Sequence, residues 1–255
     1  MSMFSASAFI LERGVKVLIR ESDFTIRRGK VTVILGPNGV GKSTLLLALA
    51  GLHKISGGTV LLDEEPLQNF SHQQLAKKIT WQGTLPPSEF GLKVFDRLDL
   101  AMRDVPGSSH AYRDICNMLD IDHLQQRALG ELSSGERQRV ELAAALLRDT
   151  DVLLLDEPVA HLDLKHQASF LSMMQKLTAA GKSVLVVLHD VQQAVSIADD
   201  VLMIFDDGRV ECGSADTVMS AELLSELFDT EITESGEGSN RLMIPNYFIN
   251  NLQEK

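Results

Sequence analysis

The segment Gly36-Pro37-Asn38-Gly39-Val40-Gly41-Lys42-Ser43-Thr44 fits the pattern G-x-x-x-x-G-K-[ST]. The apolar run Lys30–Leu35 before it reads as a strand. Ser43–Ala50 after it reads as a compact buried helix that Gly51 stops. Glycines allow the backbone to wrap with its N–H groups turned inward, and the helix behind the loop points its positive end at the same place. The loop is therefore expected to cradle phosphates, with Lys42 reaching the terminal ones and the Ser43 hydroxyl on magnesium. An ordinary Gly-rich turn is the plainer alternative, and the strand, lysine, hydroxyl and helix in this order count against it.

Two further stretches carry chemistry. Val152–Leu155 is an apolar strand that delivers Asp156 and Glu157 at its end, where open parallel sheets bind ligands. Asp156 suits a magnesium shell, and Glu157 suits a general base near a terminal phosphate. Taken alone, such a pair is also a common helix N-cap. About twenty residues upstream stands Leu132-Ser133-Ser134-Gly135-Glu136-Arg137-Gln138-Arg139. It reads as a capping box, Ser133 with Glu136 three on, opening a helix with Val140, Ala143, Ala144 and Leu147 on one face.

Around these stretches strands and helices alternate. Helix 136–148, strand Val152–Leu155, helix 164–179, strand Val184–Leu188, helix 191–198 and strand Val201–Phe205 imply an α/β fold with a mainly parallel sheet covered on both faces. Short Val-, Ile- and Phe-rich runs over residues 8 to 35 suit an N-terminal antiparallel β subdomain, and Gly58–Leu62 reads as another strand. The polar stretch from about 85 to 130, broken at Val105-Pro106-Gly107-Ser108, reads as helices. Asp207-Gly208 turns the chain into Arg209–Cys212, Ser220 caps a last amphipathic helix through Phe228, and Glu234–Asn240 reads as a loop before Leu242–Phe248.

The chain has 255 residues, 44% hydrophobic and 23% charged, enough to bury one large core or two modest ones. No apolar run approaches the roughly 18–20 residues that cross a bilayer. A formal charge of -11 argues against nucleic-acid binding, since phosphate backbones are held by clustered Lys and Arg. The tight basic groups, Arg27, Arg28, Lys30 and Arg137, Arg139, read as solvated surface. Only Cys116 and Cys212 are present and the N-terminus lacks a secretory pattern, which fits a reducing cytosolic setting. His161 and His166, five apart, lack metal-ligand spacing.

With Gly36–Thr44 and Asp156-Glu157 beside it, Leu132–Arg139 resembles the signature loop of the ATP-binding cassette family, usually L-S-G-G-Q. The resemblance extends over nearly the whole chain to the nucleotide-binding subunit of such a transporter. Trp81-Gln82 looks like the family's Q-loop, Ala160-His161-Leu162-Asp163 like its D-loop, and His189 like its switch histidine. It implies a P-loop NTPase core with an inserted helical subdomain at about 85–150 and a C-terminal extension at about 206–255, all within one domain, 1–255. It also implies ATP and Mg2+ as ligands. Gly36, Pro37, Asn38, Gly39, Val40, Gly41, Lys42, Ser43 and Thr44 would hold the nucleotide, and Ser133, Ser134, Gly135, Glu136 and Asp163 would reach it across a dimer. Glu157, His189 and Gln82 would be catalytic, and Ser43, Gln82 and Asp156 would serve the metal. The sequence departs from the family in having Ser134 and Glu136 for Gly and Gln. It also has no aromatic in Leu11–Leu18 to stack on adenine, a role left to Arg13 or Phe9.

The partners so implied are a second copy of the chain, head to tail, integral membrane permease subunits, and indirectly a periplasmic or surface substrate-binding protein. The implied location is the cytoplasmic face of a bacterial inner membrane. Asp156-Glu157-Pro158-Val159-Ala160-His161-Leu162-Asp163-Leu164-Lys165-His166-Gln167 and the signature block look most similar to importers of iron-siderophores, haem and cobalamin. Three alternatives stay open: a soluble cassette ATPase, such as that of iron-sulfur cluster assembly; a transporter ATPase for another substrate; and a cassette acting on ribosomes or DNA, against which the single cassette, the acidic charge and the absence of a long coiled-coil insertion count.

Overall fold

Along the central strands successive side chains enter two different cores. In β3 (Val31–Leu35), Val31, Val33 and Leu35 join one cluster and Ile34 the other. The same alternation runs through β7 (Val152–Asp156), β8 (Ser183–Val187) and β9 (Asp200–Ile204), every residue of which is buried. Strands covered on both faces read as unbroken apolar runs, which is why they stand out in the sequence. The computed structural model describes residues 1–83, 91–103, 109–236 and 241–246, without the side chains of 109–111.

The six-stranded sheet has the order β10-β9-β3-β8-β7-β6, with β6 (Ile79–Gln82) at one edge and β10 (Val210–Ser214) at the other. Every pair in it is parallel except β10 with β9. A second, antiparallel sheet, β2-β1-β4-β5, is built from β1 (Ser2–Arg13), β2 (Lys16–Arg27), β4 (Gly57–Leu62) and β5 (Glu65–Pro66). Between the sheets lies α1 (Lys42–Leu49), whose Leu45, Leu46 and Leu49 are fully buried in the core shared with β1, β2 and β4. Burying each such side chain contributes about 1.5–3 kcal/mol, so the helix is fixed by packing on both sides.

The opposite face is covered by helices. α5 (Ser134–Leu147), α6 (Leu164–Ala179), α7 (Val191–Ile197) and α9 (Ala221–Phe228) contribute to the second core, together with α3 (Val94–Met102) and α4 (Ser109–Met118) from the helical part. α2 (His72–Lys78) leads into β6, and α8 (Ala215–Val218) follows β10. The antiparallel pair β11 (Ile232–Ser235) and β12 (Leu242–Pro245) packs β12 onto α7.

Most expected elements occur within a residue or two of their reading. The differences are local. α2, β6 and the β11–β12 pair were not anticipated, and Ile232–Ser235 is strand, with Ser235 paired to Leu242. The expected break at 105–108 and the stretch 247–248 lie outside the described residues. Among the basic residues read as solvated surface, Arg27, Arg28, Lys30 and Arg139 have structural partners. Arg27 of β2 forks onto Asp200 of β9, tying the antiparallel layer to the central sheet, while Arg28 pairs with Asp63 after β4 and Lys30 meets Asp199 at 2.8 Å beside the starts of β3 and β9. Arg139 is buried and donates to the carbonyls of Leu119 and Asp120 at 2.8 and 2.7 Å. Charge patterning alone does not separate such clips from a solvated patch, because their partners are distant in sequence.

Candidate active site

The loop 36–44 leaves β3 at the C-terminal edge of the parallel sheet. Gly36 has φ 152°, and a Cβ there would stand 2.4 Å from the Ile204 carbonyl oxygen. Gly41 has φ 116°, and its Cβ would meet Leu18 at 2.9 Å. Both positions require glycine. Gly41 is the N-cap of α1 with no side-chain cap, so the helix's first N–H groups keep their capacity for an anion. Lys42 is buried and its Nζ donates to the Gly36 and Pro37 carbonyls, both at 2.8 Å. Burial pushes its ammonium below the usual lysine range, opposed by the negative charges of Glu157 and Asp156. A bound polyphosphate would add to the negative charge of Glu157 and Asp156 that favours the ammonium.

A cavity of about 260 Å³ lies over the loop, lined by Asn38, Gly39, Lys42, Ser43, Thr44, Glu157 and, from the β1–β2 hairpin, Arg13, Lys16 and Leu18. Lys16 Nζ donates to the Gly39 carbonyl at 3.2 Å, a tertiary contact with no signature in sequence. Of the two candidates for the adenine face, Arg13 lines this cavity. Phe9 does not: it is fully buried, edge-on to Phe24 at 5.3 Å, and is excluded.

Asp156 ends β7 and is buried, with Oδ1 lacking a hydrogen-bond partner among the described residues. Burial raises its carboxyl, while a hydrogen bond with Ser43 lowers it. Glu157 takes a left-handed φ of 52°, and its Oε1 lies 2.7 Å from His189 Nε2 beyond the end of β8. Gln82, in register with Leu155 on the neighbouring strand, is buried with both amide atoms unpartnered among the described residues. Orphaned polar atoms of this kind fit a hydrated divalent ion, which takes few protein oxygens and keeps waters and substrate oxygens. No group of three or more His, Cys, Asp and Glu suited to a metal occurs among the described residues, so no all-protein cage is offered.

Ser133 caps α5: its Oγ accepts from Glu136 N at 3.2 Å, and Glu136 Oε2 accepts from Ser133 N at 2.8 Å. These bonds hold the Glu136 carboxyl below its usual range, with help from Arg127. Gly135 abuts the turn after β7, where a Cβ would lie 2.7 Å from the His161 carbonyl oxygen. Gln138, buried one helical turn on, donates to the Pro158 carbonyl at 3.0 Å. Asp163 caps α6, accepting from His166 N at 2.9 Å.

The structure thus gathers Lys42, Ser43, Asp156, Glu157 and His189 around one loop. Ser133–Glu136 and Asp163 flank the turn 157–163 instead, and Gln82 borders a second cavity of about 430 Å³ lined by Trp81, Arg97, Glu141 and Arg148. Sequence reading missed Lys16 and Gln138. Neither had a local signal: Gln138 stands between Arg137 and Arg139 in a polar first turn, and its burial against the Pro158 carbonyl is a tertiary feature.

Comparison with known proteins gives the family. The family model described as ABC transporter matches residues 19–160. The hemin import ATP-binding protein HmuV of Hahella chejuensis is 34% identical over 239 residues, 90% of this chain and 93% of that protein. The vitamin B12 import ATP-binding protein BtuD of Vibrio atlanticus is 34% identical over 82% of this chain and 88% of its own. The putative HMP/thiamine import ATP-binding protein YkoD of Bacillus subtilis is 32% identical over 87% of this chain, which spans 41% of that protein. A solved structure described as an inward-facing putative metal-chelate type ABC transporter superposes with a TM-score of 0.79 at 23% identity, over 99% of this chain and 100% of that one. With a family model across more than half its length and relatives alike along nearly all of theirs, the chain belongs to the ABC transporter family as an ATP-binding protein, an ATPase.

Proposed function

We propose that the chain is the ATP-hydrolysing subunit that powers uptake of a metal chelate, of the iron-siderophore, haem or cobalamin type, through a separate membrane permease. The observation that carries this reading is end-to-end likeness to proteins named for hemin and vitamin B12 import, covering 93% and 88% of their lengths. No described helix is long and apolar enough to cross a membrane, which is consistent with a permease on another chain.

In this reading the loop 36–44 and the start of α1 bind the phosphates of ATP. Ser43, Asp156 and Gln82 would hold Mg2+, which would neutralise charge on the phosphate oxygens. Glu157 accepts a proton from the attacking water, and His189 fixes the Glu157 carboxylate and faces the terminal phosphate. Arg13 lies against the base. Two copies pair head to tail, so that Ser133, Ser134, Gly135, Glu136 and Asp163 of each reach the nucleotide of the other. The exposed Leu164, 83% accessible beside Asp163, supports a partner on that side. ATP closes the pair and hydrolysis reopens it, with contacts to the terminal phosphate supplying the difference in affinity.

The 430 Å³ cavity is the proposed docking surface for the permease. Its rim carries the exposed Leu52 and Trp81, and its lining includes the Arg97–Glu141 ion pair at 2.6 Å. The subunit then works at the cytoplasmic face of a bacterial inner membrane, with a substrate-binding protein outside. Likeness to a protein named for HMP/thiamine import makes another substrate the second reading. Size-exclusion chromatography of the Glu157→Gln variant with MgATP tests the pairing: a dimer that appears with ATP and not ADP supports it, and a monomer under both conditions overturns it.

A further inference from the structure

The turn between β7 and α6 is held in an uncommon backbone shape. Glu157 and His161 both lie in the left-handed region, at φ 52° and 66°, a conformation that persists only where its surroundings over-determine it. Two side-chain amides supply that restraint. Gln138, on the signature helix α5, donates to the Pro158 carbonyl at 3.0 Å. Gln167, on α6, donates to the Leu162 carbonyl at 2.9 Å.

Gln167 also has a second partner. Its Oε1 accepts from Gln193 Nε2 at 3.0 Å, and Gln193 lies in the first turn of α7, four residues after His189. That turn is rigid at both sides. Asp190 caps it by accepting from Gln193 N at 2.9 Å, and Gln192 exchanges bonds with the C-terminal strand pair: Nε2 to the Arg241 carbonyl at 3.0 Å, and Met243 N to its Oε1 at 3.2 Å. Gln193 is thus joined to the backbone directly after His189 by the Asp190 cap, and the path from Gln193 through Gln167 to Leu162 is two hydrogen bonds long.

We propose that Gln167 and Gln193 are positioning residues that couple the His189 side of the site to the turn 157–163, so that the state of the terminal phosphate is passed to the loop facing the partner copy. The coupling rests on the reading of His189 as the group facing that phosphate. Both amides are half-buried, where neither side chain is freely replaced by solvent. Chains of hydrogen bonds between rigid elements are a physical route for such coupling, provided removal of either link is felt at the far end.

The test is steady-state ATP hydrolysis by the full chain carrying Gln167→Met, Gln193→Met, or both, with His189→Ala as control. Each single variant is expected to lower kcat by about three- to tenfold, the scale of one hydrogen bond, with KM for ATP within about twofold. The double variant should lose no more than the worse single one, because both break the same path. Unchanged kcat in the Gln variants beside an inactive His189→Ala overturns the relay alone, as do losses that multiply in the double variant. Normal turnover in His189→Ala overturns the switch assignment and the relay with it. Should a Met variant fail to fold, Gln193→Asn, shorter by one methylene with the amide kept, carries the same expectation.

Discussion

His189 Nε2 stands 2.7 Å from Glu157 Oε1, so the ends of two neighbouring parallel strands share one polar contact beside the loop 36–44. The contact fixes a carboxylate that otherwise sits on a left-handed residue at an exposed edge. Glu157→Gln keeps the shape and removes the base. Hydrolysis should fall by about 10²-fold or more while ATP binding persists. Equilibrium binding and single-turnover hydrolysis measured together check this, and normal turnover contradicts the assignment.

Lys42 donates to two loop carbonyls and carries its charge in a buried place. Lys42→Met should weaken ATP binding by about 10- to 100-fold, as expected for losing a charged hydrogen bond to phosphate. A titration with a fluorescent ATP analogue measures it. Unchanged affinity would show that the ammonium serves the loop and not the ligand.

At Gly135 a methyl group would press within 2.7 Å of the His161 carbonyl oxygen. Gly135→Ala should therefore cost about 1–3 kcal/mol in urea unfolding and push the turn 157–163 outward. Increased amide hydrogen exchange confined to that turn is the expected signature, and unaltered stability and exchange would count against the contact.

Glu136 has a depressed carboxyl pKa, caused first by its bond to the Ser133 backbone. A depressed carboxylate contributes stability above its unfolded-state pKa and loses it as pH falls through the folded-state value. Glu136→Gln, which can keep the capping box, should be less stable than wild type at neutral pH by up to about 1 kcal/mol. The two should converge once pH has fallen below the depressed folded-state value, where wild-type Glu136 is itself neutral. A gap that persists in acid contradicts this origin.

Much of the fold was legible because the fully buried strands β3, β7, β8 and β9 are plain apolar runs. Ser133 and Glu136 were legible as a cap because capping is local. Ile232–Ser235 was not, since its pairing partner lies across a segment with loop composition. Ile79–Gln82 was hidden for a related reason: it is a short edge strand behind Lys77 and Lys78. The clip from Arg27 to Asp200 and the bonds joining Gln193, Gln167 and Leu162 depend on three-dimensional neighbours, which no local pattern encodes.

The most direct test of the transport reading is a pull-down of the tagged chain from detergent-solubilised membranes of its own organism, with identification of the co-purifying protein. Recovery of a polytopic metal-chelate permease in stoichiometric amount is the predicted result. Recovery of soluble partners alone would leave the ATPase standing and contradict its role in transport.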